Sequence, residues 1–189
     1  MNQEVISRIL FVVFLMLPVA IRMTYRWKFP QTKDVSTHER SWTLMAIRLW
    51  ALVVVAYTLG VGWFGYSLPI PEWIRSLGLV GMGLSALFSA WVYHELGIHF
   101  SPGIRLLENH DLVTSGPYRW VRHPMYTTFI AHACSTSLAC ANPFVIIASI
   151  IAIAGLVNRI DEEEEILQNR FGEQYLAYMD TTGRLIPKM

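Results

Sequence analysis

Apolar residues along this chain gather in long blocks instead of recurring at the one-face spacing of a surface helix, and the blocks predict helices that cross a membrane. An α-helix rises about 1.5 Å per residue, so a hydrocarbon core of about 30 Å takes roughly 20 apolar residues. Blocks at 5–21, 42–64, 73–93, 125–140 and 143–157 meet or approach that length. The last two are short, with only Cys140, Ala141 and Asn142 at their junction, which predicts a tight helical hairpin. After residue 157 the chain turns polar. Ile166, Leu167, Phe171, Tyr175 and Tyr178 then recur at helical spacing, so an amphipathic helix follows, interrupted at Gly172. The expected fold is an all-α polytopic membrane protein with about five transmembrane helices and a cytosolic C-terminal amphipathic helix. No repeat, low-complexity tract or linker divides it, so 1–189 reads as one domain. Its character changes near Gly97, separating a three-span scaffold (1–96) from a more polar region (97–189).

Composition agrees with this pattern: 53% of the 189 residues are hydrophobic. Net charge is +1, which argues against a nucleic-acid partner, since such binders carry strongly basic patches. The partner that composition does point to is the lipid bilayer. The first block reads as a retained span, because Glu4 precedes it, no small-residue cleavage site follows Ile21, and Arg22, Arg26 and Lys28 come next. Lys and Arg concentrate in 22–40, in 97–122 and after 157, while 65–72 has none. Short cytoplasmic loops carry such an excess, so the N-terminus is expected outside and the C-terminus in the cytosol. Arg48 lies near the cytosolic end of its span and can snorkel. Cys134 and Cys140 read as small buried packing residues, and no Cys/His spacing suggests a metal site.

Two polar segments bracket the hairpin. The first runs from His110 to Tyr126 and contains His110, His123, Arg119, Arg122, Tyr118 and Tyr126. Ser115-Gly116-Pro117 marks a turn, and Pro124 suits the first helical position, where its missing N–H would be unpaired anyway. That holds His123 just outside the helix and points the N–H groups of Met125 and Tyr126 outward as a potential anion site. Aromatic faces nearby attract a cation. A ligand with both a carboxylate and a positive centre fits this inventory. The second segment is Asn158-Arg159-Ile160-Asp161 followed by Glu162 to Glu165, where the fifth block leaves the membrane. Most of these acids read as a solvated face. Arg159 and Glu163, four apart, are neighbours on one helix face.

These motifs, with Phe171-Gly172-Glu173-Gln174-Tyr175, Tyr178 and the final Thr182-Gly183-Arg184-Leu185-Ile186-Pro187, resemble the isoprenylcysteine carboxyl methyltransferase family. The resemblance covers about the last 90 residues and rests on several motifs in order. It implies an all-helical membrane methyltransferase that uses S-adenosyl-L-methionine. It also implies which residues hold the cofactor: His110, Leu112, Val113, Tyr118, His123, Tyr126 and Glu163, with a further contact near Arg105. Arg159 matches the arginine at the acceptor carboxylate, so Arg159 and Glu163 are the expected catalytic pair. The implied acceptor is a lipophilic or prenylated carboxylate at the cytosolic membrane face.

Other readings stay open at this point. Related membrane enzymes methylate phospholipid amines or small lipophilic thiols or acids. Membrane sterol reductases look similar in this region and bind NADPH, though an acidic run is a poor neighbour for a 2'-phosphate. Membrane content alone also allows a non-enzymatic scaffold or a small transporter, though the first three spans lack the broken, polar-lined helices that transport sites use.

Overall fold

The computed structural model describes residues 3–28, 41–97 and 112–188. Among the described residues six α-helices form the bundle: α1 Gln3–Lys28, α2 Ser41–Thr58, α3 Glu72–Leu96, α4 Pro124–Cys140, α5 Pro143–Phe171 and α6 Glu173–Thr181. By length and composition α1, α3 and α5 can cross a membrane, and α2 is a shorter apolar helix. α4 is short and sits between α3 and α5, with Thr128, His132, Ala133, Thr136, Ala139 and Cys140 buried along it.

The helix ends have local causes. α2 stops at Thr58, short of the expected Phe64, because Gly60 and Gly62 both take positive φ, 67° and 50°. A 3-10 turn at Gly62–Gly65 follows, with Pro69 and Pro71 beyond it. α1 runs past Ile21 as far as Lys28 and carries its basic residues on the helix. The hairpin turns at Ala141, which is left-handed at φ 47°, and Asn142 caps α5 by accepting from the Val145 N–H at 2.9 Å. Pro143 occupies the first turn, where no donor is missed. α5 does not end with its apolar block at residue 157. It carries the acidic run as continuous helix and stops at Gly172, whose φ of 52° favours glycine.

The core holds Met82 of α3, Trp50 and Val54 of α2, and Ala133, Cys140, Val145 and Ala152 of the hairpin. α3 and α4 pack so closely that a Cβ on Gly78 would lie 2.4 Å from the Ala139 nitrogen. Small residues allow such backbone approach in membrane bundles. Trp50 ties α2 to α5 by donating to Ser149 Oγ at 2.8 Å. Of the two cysteines, Cys140 is buried as expected. Cys134 is exposed, because it lies on the side of α4 turned away from the core. Arg48 is exposed, consistent with snorkelling.

Candidate functional site

At the end of the bundle where α4 starts and α5 runs on, the two polar segments meet. Ser115 donates to Glu95 Oε1 at 2.5 Å, fixing the turn Gly116–Arg119 against the end of α3. A Cβ on Gly116, whose φ is 56°, would lie 2.6 Å from the Glu95 carboxyl, so a larger residue would lift the turn away. Tyr118 is thereby buried, and its carbonyl accepts from the Tyr178 hydroxyl of α6 at 2.5 Å. Burial, then the nearby Glu163 charge, pushes the Tyr118 phenol well above its usual range, so it stays protonated.

The segment 182–188 lies across the loop. Arg122 N–H donates to Gly183 O at 2.8 Å, His123 N–H to Arg184 O at 3.1 Å, and Gly183 N–H to Trp120 O at 3.3 Å. Thr127 adds a side-chain bond to Leu185 O at 2.9 Å. Main-chain pairing of this kind holds the chain just before Pro124 in one extended path, leaving His123 as the residue that caps α4.

Beneath the pairing lies a buried carboxylate, Glu164. Its Oε1 accepts from Arg122 Nε at 3.0 Å and from His123 Nε2 at 3.1 Å, while its Oε2 is 3.2 Å from Arg184 Nη2. Arg122 also donates to the carbonyls of Met179 and Thr182, and Arg184 pairs with Asp161. Burying a carboxylate is tolerable only when it is paired and hydrogen-bonded, and Glu164 is both.

Facing this cluster is the group the sequence singled out. Tyr126 donates to Glu163 Oε2 at 2.5 Å, His123 Nδ1 is 4.0 Å from the same oxygen, and the His123 and Tyr126 rings are 5.6 Å apart. Arg159 lies one turn before Glu163 and close enough to act on the Tyr126 hydroxyl electrostatically. Its Nε is buried with no partner among the described residues. His123, Tyr126, Glu163, Tyr118 and Arg159 are thus brought together. Leu112 and Val113 are half-buried where the chain leads into the turn, and no hydrogen bond to the cluster involves them. His110 and Arg105 lie outside the described residues.

Sequence reasoning missed Glu164, Arg122 and Arg184 as a unit. A signal existed. Ala152, Leu156, Ile160 and Glu164 step by four along the buried face of α5, so the apolar phase carried forward selects Glu164 as the inward acid. Glu163 sits one residue aside, about a quarter exposed, at the mouth.

Behind the site a cavity of about 230 Å³ opens among α1, α2, α3 and α4. Arg22, Tyr93 and Met125 line its end nearest the site, and Trp50, Phe129 and His132 its deeper part.

An apolar helical bundle with a partly satisfied polar cluster at one end defines, over the described residues, an all-helical integral membrane protein. Residues 78–169 match the model of the Isoprenylcysteine carboxyl methyltransferase (ICMT) family, a region that contains most of the motifs carrying the resemblance. Protein-S-isoprenylcysteine O-methyltransferase A of Arabidopsis thaliana is 30% identical over 118 residues, covering 61% of this chain and 60% of the relative. The Xenopus laevis Protein-S-isoprenylcysteine O-methyltransferase is 28% identical over 144 residues, covering 75% of this chain and 48% of the relative. The chain therefore spans about half to three fifths of the length of these curated relatives. A solved eukaryotic intramembrane Ras methyltransferase ICMT shares the fold, with a TM-score of 0.58 at 22% identity over 94% of this chain and 67% of that one.

Proposed function

We propose that this protein is an S-adenosyl-L-methionine-dependent carboxyl methyltransferase acting on a lipophilic, isoprenylcysteine-like acid at the cytosolic face of a membrane. The observation that carries this reading is the buried, unpartnered Nε of Arg159, one turn from the Tyr126–Glu163 pair. A guanidinium donor shut away from water without an acceptor calls for an anion, and a carboxylate matches its planar fork. The names of the relatives and the family match over 78–169 support the same reaction.

The residues fit the cofactor by their chemistry. Tyr118 and Tyr126 offer aromatic faces to a cation, Glu163 an acceptor for an ammonium or ribose hydroxyl, and His123 with the start of α4 a place for a carboxylate. Leu112 and Val113, with His110, extend this binding surface. S-adenosyl-L-methionine, when bound, supplies a methyl group already activated on a sulfonium. The acceptor carboxylate is ionised near neutral pH, so no residue needs to remove a proton. Arg159 orients the acceptor and Glu163 the donor, and holding two reactants in line contributes roughly 7–11 kcal/mol against free encounter. In this reading α1 to α3 form the scaffold (1–96), α4 and α5 cross as a hairpin, and the site (within 97–189) faces the cytosol with α6. Lipid is the route of the acceptor and water that of the cofactor.

The test uses the protein in lipid nanodiscs with methyl-labelled S-adenosyl-L-methionine and an N-acetylated S-prenylcysteine. Label should enter the lipid phase as a base-labile methyl ester. Arg159→Ala should lower kcat/KM at least 100-fold while S-adenosylhomocysteine binding, followed by calorimetry, changes less than threefold. Saturable NADPH binding without S-adenosylhomocysteine binding, or label arriving on a phospholipid amine with Arg159→Ala fully active, would overturn the reading.

A further inference from the structure

The cavity behind the site is not simply apolar. Ser85 of α3 gives its one proton to Met82 O at 2.8 Å, so towards the His132 ring, 2.9 Å away, its oxygen accepts. The tautomer that keeps both bonds has the hydrogen on His132 Nδ1 and leaves Nε2 with a lone pair. No hydrogen bond to a described residue uses Nε2, which opens on the cavity from a side chain that is only 6% exposed. One turn beyond Ser85, Ser89 is 5% exposed, lines the same cavity and also makes no hydrogen bond among the described residues. The neighbouring buried hydroxyls behave differently. Thr128, Thr136 and Ser149 each bond to a carbonyl or to another hydroxyl. An acceptor and a hydroxyl left open to one largely apolar cavity offer a matched pair of valences to a polar group lodged there.

We propose that His132, with Ser89, reads a hydroxyl on the tail of the acceptor, so that the preferred substrate is a lipophilic acid whose tail is hydroxylated rather than plain hydrocarbon. One hydroxyl satisfies both groups, since it donates to Nε2 and accepts from Ser89. The helix rise from Tyr126 to His132 is about 9 Å, which sets how far along the tail the hydroxyl lies from the reacting carboxylate. Phe129 and Trp50 flank His132, with ring centroids 5.4 Å apart, and leave the rest of the tail in apolar surroundings. His132 is a specificity-determining residue here, not a catalytic one. The inference rests on the methyltransferase reading for its substrate but on the cavity alone for its recognition chemistry.

The experiment compares two thioether carboxylates with identical tails, one bearing a hydroxyl roughly 9 Å from the carboxylate by the same helix rise. Binding is measured first, by competition against a tritiated hydrocarbon-tail analogue in nanodiscs without methyl donor, and then kcat/KM with it. The hydroxylated compound should bind at least tenfold more tightly and show the difference mainly in KM. His132→Leu should bring the ratio to about one, and His132→Gln, which keeps an acceptor oxygen, should restore most of it. Equal binding of the two compounds by the wild type, or a ratio unmoved by His132→Leu, would mean that only water occupies the cavity and would overturn the proposal. Because binding needs no methyl donor, a protein that prefers the hydroxylated compound but transfers no methyl group refutes the reaction and not the recognition.

Discussion

The two ends of the α4–α5 hairpin both carry polar networks, and they differ in what they leave undone. At the turn, Arg75 donates to Leu68 O at 2.7 Å, Cys140 O at 3.1 Å and Ala139 O at 3.4 Å, closing the exposed end of α4. Asn142 donates to Phe64 O and Tyr66 O while capping α5. At the other end, the side-chain atoms wholly closed off from solvent and without partners among the described residues are Arg159 Nε, Tyr175 Oη and Arg184 Nε, all in or beside the site. A satisfied network stabilises a fold. One with open valences is where a ligand completes the set. On the function proposed, the hairpin has a structural end and a receptive end, and mutations should separate them.

The largest effect is expected at Glu164. Glu164→Ala leaves Arg122 and His123 facing each other without their shared anion and removes one of the two carboxylates by which α5 holds Arg184 of the 182–188 segment. Removing one member of a buried pair costs about 3–5 kcal/mol. For a chain of this size that is roughly 6–20 °C in Tm, taking 2–4 °C per kcal/mol. Thermal unfolding in nanodiscs, with S-adenosylhomocysteine binding alongside, checks it. Both should fall, since His123 loses the contact that orients its ring. Lost stability with unchanged binding would show that Glu164 holds the fold but not the site.

Arg75→Met is the counterpart at the structural end. Three carbonyls lose their donor, and an unsatisfied buried group costs about 1–3 kcal/mol. Because Arg75 is partly exposed, water recovers some of this, and about 2 kcal/mol is expected. Methyl transfer per folded molecule should stay within twofold of wild type. A larger loss would mean that the turn communicates with the site along the hairpin, and the contrast between the two ends would weaken.

Much of the receptive end was legible in the sequence, and the reason is local. Pro124 and Pro143 open their helices where proline preferences put them, and Gly172 closes α5. Tyr126 and Glu163 meet because both motifs border the same hairpin, which the apolar blocks already required. What escaped was long-range or a matter of phase. Nothing in the local pattern announces that Gly183 pairs with Val121, since that bridge joins residues far apart in the chain. Glu164 was hidden within a run of identical side chains whose inward member only the four-residue step from Ile160 could reveal. Cys134 turned outward because α4 buries a stripe too narrow to include it. The early end of α2 came from Gly60 and Gly62, which read equally well as helix-packing glycines.

The finest test of the contrast is Tyr178→Phe, which removes a single hydrogen bond from the receptive end. The Tyr178 hydroxyl holds the Tyr118 carbonyl at 2.5 Å, so the variant should lose about 1 kcal/mol near neutral pH. Burial raises the Tyr178 pKa above the ordinary tyrosine value, with Arg122 opposing. Folding therefore favours the protonated phenol. That preference has no effect on stability below about pH 10, where the unfolded tyrosine is protonated too. Above it the unfolded state ionises first, and wild-type stability falls by about 1.4 kcal/mol per pH unit for this group until the folded phenol ionises. Phenylalanine does not titrate. The gap between the two proteins should be constant up to about pH 10 and close by roughly pH 11, which denaturation followed across pH 7 to about 11 would show. A gap that stays open would mean that the Tyr178 hydroxyl is reached by water and does not help to clamp the loop carrying Tyr118.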